Sequence, residues 1–139
     1  MSDAHAAAIS DSVRATLDDF RRYSAASQWD SLVATYADDQ RFRWIENGEI
    51  RYRSPADIRR SLSGLPAGTR LETSYEGTEI TPLAPGVASV VTFFRTRIAE
   101  STASDGVSFG GAMTMIFVNE GRHWRILGGH TSSPVQRDR

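Results

Sequence analysis

The sequence predicts an α+β fold, with helices packed on one face of a curved, mostly antiparallel sheet. Three observations carry that reading. Apolar residues recur at helical spacing near the start, at Ile9, Val13, Leu17 and Phe20. From residue 70 onward, four strand-like stretches are separated by short turn signals. The middle two stretches are apolar on both faces, with Val91 and Phe93 on one side and Val90, Thr92 and Phe94 on the other. A sheet apolar on both sides needs two covers. The helices supply one, and a second copy of the chain is the expected other, giving a homodimer through the sheet.

Each element has a local justification. The apolar stripe that starts at Ile9 predicts a first helix lasting to about Ala26, with residues 1–8 as a flexible tail. Ser27 is placed to cap a second short helix in "QWDSLVATYA", where Trp29, Leu32, Val33 and Tyr36 share a side and Asp30 suits the first turn. The period then changes to two, with Phe42 and Trp44 on one face. Asn47-Gly48 predicts a tight hairpin turn, because a type I′ turn needs positive φ at both central residues. A return strand follows over about 49–53. Ser54 and Pro55 restart a helix as N-cap and N1, carrying Ile58 and Leu62 to a stop at Gly64. Strands are expected at 70–81, 87–99, 107–119 and 124–131, with "STASDG" as a loop and Glu120-Gly121 as a turn. The domain is placed at 9–133 and a flexible C-terminal segment at 134–139. No internal repeat or linker interrupts it.

Composition narrows the function classes. The chain has 139 residues, enough for one domain with a real core, and a net charge of −1, which implies neither a nucleic-acid nor an anionic-membrane partner. All 16 basic residues are Arg, so Schiff-base chemistry and a lysine base are excluded. There is no Cys, which excludes disulfides, thiolate nucleophiles and Cys-ligated metals. No apolar run approaches the roughly 20 residues of a membrane span. The first ten residues lack the basic start of a signal peptide, and a cytoplasmic location is expected. "GVSFGG" and "GGH" are not phosphate loops, since neither has the glycine spacing that opens a helix. No cofactor and no metal are expected.

The helix pair, "YADD" before the first strand, the hairpin, the capped helix and the long meander ending in "WRILGGHTS" together resemble the NTF2-like superfamily. Within it, residues 9 to 133 resemble the SnoaL-like proteins, which are related to the association domain of calmodulin-dependent kinases. The resemblance implies a cone whose strongly curved sheet and helices enclose a pocket, in a homodimer. It does not fix a reaction, because such folds host isomerases, cyclases, hydratases, hydrolases and non-catalytic modules. The ketosteroid isomerases of this superfamily use a Tyr on the first helix and two Asp on strands. Aligned from "YADD", this chain has Phe20, Trp44 and Met113 at those places. The polar groups of that chemistry are missing, and an aromatic, apolar pocket lined by Phe20, Trp44 and Met113 is implied instead.

His130 is the leading candidate for chemistry. By period two it shares a face with Trp124, Ile126 and Gly128, and the glycines leave room beside it. A pocket-facing imidazole would serve as acid, base or hydrogen-bond donor. The competing reading is a core or interface histidine. Tyr23, one helical turn beyond Phe20, is a second candidate, as proton donor or as a core residue with its hydroxyl at the rim. Tyr75 is a candidate pocket wall. His123 lies seven residues from His130 and so on the opposite face, which argues against a shared metal. Asp38 and Asp39 read as a solvated turn. Arg95 and Arg97 share one face near a strand end: on the pocket side they would favour a carboxylate or phosphate ligand, on the outer side they are dimer or solvent charges, and the outer side is favoured. The sequence thus favours a binder of a small, largely apolar or aromatic molecule. Its alternatives are a cofactor-free isomerase, dehydratase or hydrolase using His130, and a purely structural dimerisation module.

Overall fold

The computed structural model describes residues 1–100 and 106–134. The expected loop before Gly106 and the expected flexible segment after Pro134 lie outside those residues. The element order is α1 (Asp3–Ala25), α2 (Trp29–Val33), β1 (Arg43–Glu46), β2 (Glu49–Tyr52), α3 (Pro55–Ser63), β3 (Arg70–Ala84), β4 (Val87–Ala99), β5 (Val107–Glu120) and β6 (His123–Ser132). This is the predicted succession of elements. The six strands form one mixed sheet in the order β2-β1-β6-β5-β4-β3. The last four make an antiparallel meander, and β1 joins it by pairing parallel to β6. The helices cover one face, with α1 across β3 and α2 wedged between α1 and α3.

Two local expectations are corrected. α1 begins at Asp3, not near Ile9, so the expected tail is the opening of the helix. Ser2 caps it by accepting a hydrogen bond from the His5 amide at 3.1 Å. The alanines at 4, 6, 7 and 8 favour helix without contributing an apolar stripe, so periodicity alone does not show them. Ser27 does not cap α2. It takes φ 56, in the left-handed region, and its hydroxyl donates to the Thr69 carbonyl. That bond ties the end of α1 to the entry of β3, and α2 starts after Gln28 without a side-chain cap. The other local signals hold. Asn47 and Gly48 have φ of 48 and 87 in the β1–β2 turn, and the Ser54 hydroxyl accepts from the Asp57 amide at 3.2 Å.

The interior has a closed end and an open end. At the closed end, Ile9, Val13 and Leu17 of α1 lie in one buried cluster with Ala88, Val90, Phe117 and Trp124 of the sheet. Val13, Val90 and Phe117 have no exposed surface. Burying such side chains is the main source of folding free energy, at about 25 cal/mol per Å² of apolar surface.

β6 carries the irregularity that matters most for the site. Ile116 pairs with Gly128, but Phe117 pairs with Ile126, so Leu127 is an extra residue with no partner on β5. Such a bulge shifts the alternation of a strand by one. Before it, the inward residues are Trp124 and Ile126. After it, they are Gly129 and Thr131, opposite Met115 and Met113.

Candidate functional site

The open end of the interior is a cavity of about 210 Å³ between the helices and the sheet. Phe20, Leu32, Ile58 and Leu62 close it from the helical side. Trp44, Phe94, Met113, Met115 and Ile126 face them from the strands. Tyr36 is the hub of the aromatic wall. Its ring makes edge-to-face contacts with Phe20 at 6.0 Å, Phe42 at 5.6 Å and Trp44 at 6.2 Å between centroids. The backbone fixes this hub. The Ala37 amide donates to the Ile126 carbonyl at 2.8 Å, and the Ile126 amide donates to the Thr35 carbonyl at 2.9 Å.

Polar atoms are few in the wall, and nearly all are hydroxyls. Thr73 and Thr96 bond each other at 2.9 Å, and the Tyr52 hydroxyl lies 3.1 Å from the Ser61 hydroxyl. Tyr36 and Tyr75 have no hydrogen-bond partner among the described residues. The Ser24 hydroxyl is fully buried and also unpartnered. Glu46 is the one charged residue of the lining among the described residues. Burial pushes the Tyr36 phenol well above its ordinary range, and nearby Tyr75, Tyr52 and Glu46 push it further. Burial likewise raises Tyr75. Both phenols therefore stay neutral at physiological pH.

The predicted site residues divide. Phe20, Trp44, Tyr75 and Met113 come together in the cavity wall. Tyr23 does not. It packs half-buried against the core, with the Arg22 guanidinium 5.3 Å from its ring centroid. Ser24 takes the place expected of it, because four residues overshoot a helical turn by about 40° whereas three fall short by about 60°. His130 is exposed on the outer face of the sheet, between Thr114 of β5 and Ile45 of β1. The bulge at Leu127 put it there, and Thr131 reaches the cavity instead. The neighbouring glycine makes room for something else: a Cβ on Gly129 would sit 2.5 Å from the Trp44 ring. Gly129 thus lets the Trp44 ring approach β6 closely.

The remaining polar candidates are surface features. Arg95 and Arg97 lie on the outer face as expected, with Arg97 paired to Glu72. Asp39 accepts hydrogen bonds from the Arg41 side chain and amide, which lower its carboxyl to about 2, in an exposed turn. His5 and His123 are exposed. No described helix is long and apolar enough to cross a membrane.

A family comparison matches residues 13–136 to the SnoaL-like domain. The chain belongs to the SnoaL-like domain family. Its fold is shared with structures of very different sequence. A protein from Novosphingobium aromaticivorans DSM 12444, provisionally described as a scytalone dehydratase, superposes with a TM-score of 0.80 at 9% identity, over 92% of this chain and 85% of that one. A hexachlorocyclohexane dehydrochlorinase, LinA type 2, gives 0.76 at 10% identity over 96% and 90%. An NTF-2 like protein of unknown function from Shewanella oneidensis MR-1 gives 0.70 at 17% identity over 88% and 98%. At such identities the likeness establishes the NTF2-like α+β cone and nothing about chemistry. No curated protein sequence matches the chain significantly.

For this SnoaL-like domain, the wall residues that the sequence reading missed include Ser24, Tyr36, Glu46, Tyr52, Phe94 and Thr131. Two of them carried a signal. Ser24 follows Phe20 at i+4, and Glu46 follows Trp44 at the same strand phase. The group as a whole can hold a molecule by apolar contact while offering neutral hydroxyls and one carboxylate to its polar atoms.

Proposed function

We propose that this SnoaL-like domain binds a small, largely apolar, ring-containing molecule in the cavity. The observation that carries the reading is an unfilled space of about 210 Å³ walled by Phe20, Tyr36, Trp44, Phe94 and Met113. An engineered apolar cavity of about 150 Å³ is enough to take up benzene. A space somewhat larger suits one substituted ring or two small fused rings. A purely structural module would be expected to fill such a space with side chains.

The acid–base alternative built on His130 loses its geometric support, because that imidazole and the cavity lie on opposite faces of the sheet. The names of two structural neighbours, a dehydratase and a dehydrochlorinase, are compatible with catalysis on this fold but assign no residue here. We further propose that the binding unit is a homodimer joined through the outer face of the sheet. Val91, Phe93 and Ile116 are 45%, 60% and 39% exposed there and adjoin across β4 and β5. Such a patch on one face of a monomer marks an interaction surface. No cofactor, nucleic acid or membrane is part of this reading, and its setting is the cytoplasm.

The direct test is a thermal-shift series with indole, naphthalene and 2-naphthol. Binding at about 100 times Kd stabilises the folded state by about 2.7 kcal/mol, which raises Tm by several degrees. No rise with any of the three, up to their solubility limits, would contradict the proposal.

A further inference from the structure

The outer face of the sheet carries a cleft of its own, of about 350 Å³, lined by Ser74, Glu76, Phe93, Phe94, Arg95 and Gly111. The strand register accounts for it. Arg95 of β4 stands between Ser74 of β3 and Gly110 of β5, and Phe93 stands between Glu76 and Ala112. On this stretch β5 therefore presents only glycine and alanine beside two large side chains. Nothing larger fits at Gly110, where a Cβ would lie 2.4 Å from the Phe94 carbonyl oxygen. An aromatic ring that is 60% exposed thus rises beside a low strip on the same surface.

The charges around that ring are unpaired. Glu76 and Arg95 are both exposed, as diagonal neighbours on β3 and β4. Neither has an ion-pair partner among the described residues. Further along the same two strands, Glu72 and Arg97 are directly opposite and do form a pair. The face closes a charge pair where the register brings acid and base opposite, and leaves one acid and one base open next to Phe93.

Such a patch is self-complementary. In a twofold interface every contact occurs twice with the roles exchanged. A second copy can set its base on this acid, its acid on this base and its ring on this low strip. A partner of uniform charge would meet a like charge at one of the two positions, which costs affinity.

We propose that a second copy of this chain docks here, with Glu76 of each protomer paired to Arg95 of the other and each Phe93 seated over Gly110 and Ala112 of the other. The reciprocal pair sets the register of the dimer. This rests on the homodimer reading above and names the residues that select the partner. The pair acts mainly through specificity, because an ion pair at the rim adds little affinity whereas facing like charges oppose association strongly.

Charge exchange tests it. Glu76→Arg alone sets arginine against arginine at both symmetric positions, and Arg95→Glu alone sets glutamate against glutamate. In sedimentation equilibrium at low salt, each single variant should self-associate about tenfold more weakly than the natural chain. An equimolar mixture of the two rebuilds both pairs, so it should form a heterodimer about tenfold tighter than either variant alone, and the double variant should regain its homodimer. High salt should shrink these differences. Should a single variant fold poorly, Glu76→Gln, Arg95→Gln and their double variant give a second test, in which the double loss is smaller than the sum of the single losses. A mixture no tighter than its components, or strictly additive losses in the glutamine series, would overturn the inference while the dimer reading stands. A natural chain that stays monomeric up to its solubility limit would overturn both.

Discussion

The two ends of the interior are built from the same elements and finished differently. At one end, Ile9, Val13 and Leu17 of α1 meet Ala88, Val90, Phe117 and Trp124 in one buried cluster. Two turns further along α1, Phe20 and Ser24 face Trp44, Tyr75, Phe94 and Met113 across a gap. The closed end has no unpartnered buried polar side chain among the described residues, whereas the open end has Ser24. One end is organised by the demands of folding, which penalise voids and orphaned polar atoms. The other tolerates both. That contrast, more than any single residue, supports the proposal that the open end is a binding site.

Mutations should separate the two ends by size and kind of effect. Phe117→Ala, at the closed end, should cost about 3–5 kcal/mol in chemical denaturation, because Phe117 is fully buried and the site cannot collapse around the loss. A small loss would mean that the closed end is as loose as the open one. The outer face of the sheet offers a second contrast. Phe93→Glu should leave the fold intact but weaken the proposed dimer by about 100-fold in sedimentation equilibrium, since an unpaired charge in a dry interface costs about 3 kcal/mol or more. An unchanged association constant would move the interface elsewhere.

pH sharpens the comparison without altering shape. The Tyr36 phenol has its pKa raised on folding, so the neutral form is favoured in the native state. Its contribution is complete below the unfolded value of about 10 and is lost as pH rises beyond that. Stability should therefore fall between about pH 10 and 11.5 by up to about 1.4 kcal/mol per pH unit for this group, and Tyr36→Phe should flatten the slope by that amount. A slope that Tyr36→Phe leaves unaltered would show that the phenol is not desolvated. The smallest effect belongs to His130→Ala. An exposed imidazole on the far face of the sheet should change stability by less than about 0.5 kcal/mol and leave 2-naphthol affinity unchanged. A tenfold loss of affinity would return His130 to the site.

Much of the fold was legible because its signals are local and periodic. The i, i+4 stripe of α1, the Asn47-Gly48 turn, the Ser54-Pro55 start of α3 and the alternation in β3 to β6 each need only a short window of sequence. Phe20, Trp44, Tyr75 and Met113 followed as wall residues from those elements and from the family resemblance. What was not legible depended on tertiary register. The parallel pairing of β1 with β6 leaves no mark in either strand. The bulge at Leu127 shows only in the pairing of β6 with β5, and one extra residue was enough to move His130 from the pocket to the outside and bring Thr131 in. Ser24 and Glu46 were within reach of the same periodicities, but a search for apolar stripes passes over a serine and a glutamate on an apolar face.

The central claim, that the open end of the interior is a binding site, is tested most directly by methionine methyl spectra. The chain has three Met, of which Met113 and Met115 line the cavity and Met1 is at the exposed N-terminus. In a protein labelled with ¹³C at the Met methyl groups and titrated with 2-naphthol, the Met113 and Met115 signals should shift together and saturate while Met1 stays fixed. Static Met113 and Met115 signals at concentrations where titration calorimetry shows binding would place the ligand elsewhere and contradict the account.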